Sequence, residues 1–351
     1  MDGTVCPKGG ITMALNTIRY NKVIGIFCAV VIGAAAVIPV PRAYAASITY
    51  ISTSGRYPLD VSNDGAVLLS SYNSLPGAVW HPTSGWRVFP GLDLWLPANP
   101  RRFSPSGALI CGSIGNSHIL IWNRTGKPVL LLPDSGLSVY AVADEGTLAA
   151  QDARGWPVLQ RPDGMREFLP YLQRVHGMSA DASAFVGWGY ISGDPATILL
   201  RNGNPQFIPR LQGGLAIPYS ISADGTTAVG FAQVPWIGTD GGYQYQPFRY
   251  RDGRTIHLGS LGFGGVAQDV SADGSVVVGT SRSRRDGESH AFIWSEQTGM
   301  LDMNDVFKRI LEPGVTLRNA LAISPNGRYV VGWVGGVPGH VVFLLDTRDW
   351  L

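Results

Sequence analysis

The sequence predicts an all-β fold: a ring of seven four-stranded blades, closed by its own N-terminal strand. Three observations predict it. One short hairpin motif recurs seven times, at a spacing that suits a four-stranded unit. Gly (45) and Pro (24) are abundant in 351 residues, and charged residues make up only 15%. Such a composition favours turns over long helices. The hydrophobic fraction, 45%, allows a continuous core and rules out a disordered chain.

The N-terminus reads as a leader. Arg19 and Lys22 precede an apolar run from Val23 to Val40, Pro39 and Pro41 break any helix, and Ala43-Tyr44-Ala45 offers a small-x-small cleavage site. Residues 1–45 are therefore expected to be a signal peptide, removed before Ala46, with Met13 an alternative start. The mature chain would be exported to the periplasm or beyond the cell. After residue 45 no apolar run is long enough to span a membrane. The whole chain carries 27 Lys and Arg against 25 Asp and Glu. The leader holds four of the former and one of the latter, so the mature net charge is about −1. A near-neutral domain lacks the basic footprint that nucleic acids or anionic membranes require. Cys6 and Cys28 leave with the leader, and Cys111 has no intramolecular partner.

A strand, Ser47 to Ile51, precedes the first repeat and is expected to complete the last blade, removing an exposed edge. The turn residues of the seven repeats are Gly65, Gly107, Gly146, Ala182, Gly225, Gly274 and Gly327. The sixth copy shows the unit most clearly. A strand ends at Ser271, and Ala272-Asp273-Gly274 makes a tight turn. Asp bonds back to the local backbone, and Gly takes a left-handed conformation without steric cost. Ser275 to Val278 is a strand buried on both faces. His290 to Trp294 is the third strand, and Met300 to Met303 the fourth. His118 to Trp122, Gln246 to Tyr250 and His340 to Leu344 align with that third strand, as does Gly77 to Trp80 in the first copy. One helix is expected, over Asn304 to Ile310.

The run Ser271-Ala272-Asp273-Gly274-Ser275-Val276-Val277-Val278-Gly279, followed by His290-Ala291-Phe292-Ile293-Trp294, resembles the HAF repeat of bacterial extracellular proteins. Leu258-Gly259-Ser260-Leu261-Gly262 is similar to that family's linker. The likeness covers residues 47–351 and is strongest in the last three copies. It implies a secreted propeller and carries no catalytic residues with it. Some such proteins are autotransporter passengers, but this sequence has no C-terminal membrane barrel.

The chemistry-bearing residues read mostly as scaffold. His118, His290 and His340 share one repeat position, which marks them as parts of the blade. His81, His176 and His257 lack partners at metal-ligand spacing. Each Asp-Gly turn offers one carboxylate, too few oxygens for calcium. Cys111 aligns with Val278 and is expected to be buried. No nucleophile elbow, phosphate loop or zinc motif occurs. No cofactor or metal is therefore expected, and a non-enzymatic, monomeric binding module is the leading expectation. The alternative is a propeller hydrolase or lyase acting on a carbohydrate or lactone, built from the loop acids Asp194, Asp240, Asp286 and Glu288.

Loop geometry points to the binding face. Turns between first and second strands, and between third and fourth, share one face and are short. The remaining loops share the other face and vary, which suits ligand recognition. That loop face should carry Trp188 and Tyr190, Trp236, Tyr243 and Tyr245, Trp333, and Arg282, Arg284 and Arg285. Aromatic rings near polar groups suit a glycan or protein ligand, and arginines suit carboxylates or phosphates. Trp188, Phe231 and Trp333 each follow a strand-end glycine and could instead pack between blades.

Overall fold

The computed structural model describes residues 46–71, 75–89, 98–114, 118–132, 136–235 and 243–348. The expected leader, Trp236 and Asp240 lie outside them. Seven antiparallel four-stranded sheets follow one another around a ring. Blades one to six span 56–88, 98–132, 138–168, 172–207, 215–257 and 262–302. Blade seven takes three strands from 316–346 and its outer strand from Ser47–Ser52. That strand pairs antiparallel with Val341–Asp346, from Ser47 opposite Asp346 to Ser52 opposite Val341. The expected ring closure is therefore present. Ile48 and Ile51 are buried on it, and Arg328 and Arg348 both clamp the Asp346 carboxylate at the seam.

The core is not central; it lies in layers between blades. Val276, Val278 and Ile293 of blade six pack with Leu317, Ile323 and Phe343 of blade seven. Ile51, Val331 and Val342 of blade seven pack with Val61, Val67 and Trp80 of blade one. This explains why second and third strands are apolar on both faces. Cys111 belongs to one such layer, and burial pushes its thiol up to about 12.

Every innermost strand carries a β-bulge at the same place. Register shifts between Pro58 and Asp60, Pro100 and Arg102, Val139 and Ala141, Val175 and Gly177, Pro218 and Ser220, Ala267 and Asp269, and Ala320 and Ala322. A bulge bends the strand and leaves one residue unpaired. It also explains the glycine that ends the Val-Val-Val-Gly run. A Cβ on Gly279 would collide with the Val266 carbonyl oxygen, and Gly112, Gly187, Gly230 and Gly332 face the same obstacle.

The Ser-x-Asp-Gly turns form as expected and do more. In blade six Asp273 Oδ1 accepts from Ser275 N at 3.0 Å, and the Ser271 hydroxyl donates to Asp273 at 2.7 Å. The turns then bond to each other around one mouth of the ring. Asp144 N donates to Ala180 O, Ala180 N to Ala223 O, Asp224 N to Ala272 O and Ala272 N to Pro325 O. Asn326 N donates to Asn63 Oδ1, and Ser106 N to Asp144 Oδ1. These polar turns are a belt that ties successive blades together. Among the described residues no group of three or more His, Cys, Asp or Glu could hold a metal ion.

Two expectations need correction. The helix is Met303–Val306, not Asn304 to Ile310. Asp302 caps its start by accepting from Asn304 N, but the chain leaves helical geometry at Phe307. His340 does not occupy the repeat position of His290. Phe292 pairs with Gly279, whereas Phe343, not Val342, pairs with Gly332, so His340 lies one residue early. A one-residue slip reverses the side chain's face. His340 is accordingly exposed and lies edge-on to Trp333.

Candidate functional site

The bulged strands place charge in the ring's centre. Asp60, Arg102, Ser220 and Asp269, each just after a bulge, line a small central cavity of about 70 Å³. Each aspartate bridges blades. Asp60 accepts from Val61 N at 2.8 Å and from Phe103 N of blade two at 3.0 Å. Asp269 accepts from Ser220 Oγ of blade five at 2.6 Å and from Ile323 N of blade seven at 3.0 Å. Desolvation raises the Asp60 pKa to about 6, with Arg102 opposing and Asp269 adding to the rise. Burial would lower the Arg102 pKa, but Asp60 and then Asp269 hold it above its ordinary value. The space suits a few waters rather than a substrate. These carboxylates satisfy backbone N–H groups of the neighbouring blade's bulge.

The same is true of the most acid-rich histidine. His290 is 3% exposed, with Nδ1 2.6 Å from Asp302 and Nε2 2.9 Å from Asp286. Burial would lower its pKa, but the bonds and charges of Asp302, then Asp286, outweigh that and raise it. Both ring nitrogens are occupied, so His290 fastens its loop to the helix cap at Asp302. Of the other described loop acids, Glu288 pairs with Arg318 at 3.3 Å, and Asp194 is exposed at a strand end.

The described residues expected on the loop face are distributed over four blades. Trp188 and Tyr190 meet edge-on at 5.7 Å in blade four. Tyr245, 49% exposed, lies edge-on to Phe231 at 4.8 Å in blade five. Tyr243 is described only through its backbone, opposite Pro235. Arg282, Arg284 and Arg285 are exposed in one hairpin of blade six. Arg282 lies over Phe263 and donates to Gly287 O, while Arg285 pairs with Asp305 at 2.6 Å. Trp188, Phe231 and Trp333 are half-buried, and Trp333 packs against the blade seven–one core. No described cleft gathers all of these side chains.

One cleft on the loop face does gather aromatic rings, and Tyr190 is the only expected residue in it. It measures about 410 Å³ and lies where blade three meets blade four. Its wall includes Trp156, Phe168, Tyr171 and Tyr190, which are 47%, 65%, 54% and 51% exposed. Arg154 and Gln173 add polar groups. The local chain explains the arrangement. Asp152 Oδ1 accepts from both Arg154 N and Trp156 N, at 2.9 and 2.8 Å, fixing the turn that lifts Trp156. The connection from blade three to four is only three residues, Leu169 to Tyr171; Leu169 turns into the core layer, while Phe168 and Tyr171 on either side of it stay exposed. Tyr171 sits at φ +66°, a left-handed conformation unusual for a bulky residue. Gly189 lets this strained backbone approach, since a Cβ there would meet the Tyr171 carbonyl oxygen. Below, Gln151 takes the Tyr140 hydroxyl at 2.6 Å and donates to Gly155 O, bracing the turn against the inner strand.

No protein-family model matches the chain, and no curated protein matches it in sequence. Solved structures do match in fold, and they are propellers. The oligogalacturonate lyase of Vibrio parahaemolyticus is 12% identical, with a TM-score of 0.58 over 86% of this chain and 94% of that one. The virginiamycin B lyase of Staphylococcus aureus is 12% identical, with a TM-score of 0.53 over 86% and 99%. The propeller domain of Cps50 (Swd1) from Myceliophteria thermophila is 12% identical, with a TM-score of 0.52 over 85% and 98%. Likeness at this identity shows the fold alone, and the fold serves both catalysts and binding modules. Among the described residues, no helix is long and apolar enough to cross a membrane.

Proposed function

We propose that this protein is an exported, monomeric, non-enzymatic binding module of the HAF-repeat kind, which takes its ligand on the loop face. The observation that carries the reading is the blade three–four cleft. Four aromatic rings stand exposed there, in a molecule whose other large side chains mostly fill the layers between blades. Exposed rings beside polar groups are a recognition surface, because desolvating them on binding is favourable and folding has not used them. Two of the acids a hydrolase could draw on are already engaged, Asp286 with His290 and Glu288 with Arg318, and the central Asp60 and Asp269 bridge blades.

The test is a glycan and protein-fragment array probed with residues 46–351. A ligand lost on substituting loop-face aromatics, and kept on substituting turn-face residues such as Asp252, supports the reading. Robust turnover in a broad hydrolase and lyase screen overturns it. Export is checked separately: expression of the full chain in a bacterium should yield a product outside the cytoplasm that begins at Ala46.

A further inference from the structure

Resting on that reading, we propose that the blade three–four cleft binds an anionic oligosaccharide, a chain of sugars bearing ring carboxylates. The first ground is charge. The cleft is lined by one cation, Arg154, and by no carboxylate. Among the described residues Arg154 has no ion pair within 4 Å, and its backbone neighbour Asp152 is committed to the turn. The contrast is the cleft between blades one and two on the opposite face, about 230 Å³, where Arg124 is already paired with Asp64. An exposed guanidinium without a partner is a ready fork for a carboxylate.

The second ground is shape. Trp156, Phe168, Tyr171 and Tyr190 present ring surface around the cleft, and sugar rings carry apolar C–H faces that stack on such surfaces. Gln173 adds an amide that can bond hydroxyl groups. The volume, about 410 Å³, lies within the range of small-molecule sites. The third ground is rigidity. Tyr171 is held left-handed, Trp156 is fixed by a doubly bonded Asp152, and Leu169 N donates to Pro157 O at 3.0 Å beneath the cleft. A backbone already held in place loses little freedom when a ligand stacks on the rings it carries.

The experiment is calorimetric titration of residues 46–351 with a galacturonic acid hexamer and with its methyl-esterified form, which keeps the sugar faces but loses the charge. The acid form should bind about tenfold more tightly than the ester. Arg154→Ala should abolish that preference while leaving weak binding of both, and Arg154→Lys should restore part of it. Trp156→Ala and Tyr190→Ala should weaken both ligands about tenfold or more. All three sites are exposed, so thermal melts should match the parent and separate binding from folding.

Equal binding of acid and ester, or an unchanged preference in Arg154→Ala, overturns the charge assignment and with it the proposal. Equal binding of hexaglutamate overturns it in favour of an acidic peptide. Hexamer binding lost in Tyr245→Ala but kept in Trp156→Ala overturns this cleft while leaving loop-face binding standing. No binding of either hexamer overturns the proposal; the array then decides whether a loop-face ligand of another class exists.

Discussion

Gly274 and Gly253 share a left-handed φ, +73° and +77°, yet differ in their surroundings. A Cβ on Gly274 would press against the Thr227 side chain of the preceding blade, 2.7 Å from its Cβ, whereas Gly253 has open space. Gly253→Ala should therefore cost only the left-handed penalty, about 1–2 kcal/mol. Gly274→Ala should add the clash and cost about 3–4 kcal/mol, measured by urea midpoints of the two variants. His290 makes a second residue-scale prediction. Its folded pKa is raised, so its charged bonds to Asp302 and Asp286 contribute fully below its ordinary value of 6.5 and fade as pH rises through the folded value. His290→Ala should thus lose about 2–3 kcal/mol at pH 5 and visibly less at pH 9; a pH-independent difference would refute the ionic role. The sequence showed the repeat position of His290 but not its two carboxylates, because Asp286 comes from a loop that the other blades do not share.

At the scale of the element, the recurring bulge decides what each blade offers its neighbour. It leaves backbone N–H groups to be met from outside the strand, and Asp269 meets that of Ile323 while holding Ser220. Asp269→Ala should orphan a buried donor and cost about 2–3 kcal/mol in chemical denaturation, with Asp269→Asn losing less. Asp60 acts in the same pH sense as His290 but in a lower window. Its folded value of about 6 lies above the ordinary 3.8, so the unfolded chain releases that proton first. Stability from this group falls as pH rises between those values and is flat above them; Asp60→Asn should remove that slope. The hairpin turns and the apolar second and third strands were legible because one repeat shows them seven times. The position after the bulge was not, since it holds Asp60, Arg102, Ala141, Gly177, Ser220, Asp269 and Ala322 in turn. The aromatic cleft was missed for a related reason. Long Gly-rich loops drew attention to Trp236, Tyr243 and Tyr245, while the rings of blades three and four stand out because their connection is short.

For the whole molecule, the decisive bond set is the seam between Ser47–Ser52 and Val341–Asp346. All other blades are built from local hairpins, so only this sheet joins residues almost 300 apart in sequence. Closure does two things at once. It buries Ile48 and Ile51 against blades six, seven and one, and it covers the edge of Val341–Asp346. Losing two buried isoleucines costs about 2–5 kcal/mol each, which approaches the whole stability of a domain. A chain starting at Thr53 should therefore melt far lower than one starting at Ala46. Its bared edge should also pair with other copies, so light scattering after gel filtration should show a larger mean mass than for the longer chain at the same concentration. The same fragment, supplied as a separate peptide of residues 46–52, should raise the melting temperature again in a concentration-dependent way. A truncated chain that shows no such gain in mass and melts normally would mean that the belt of turn-to-turn hydrogen bonds, not the strand, holds the ring shut.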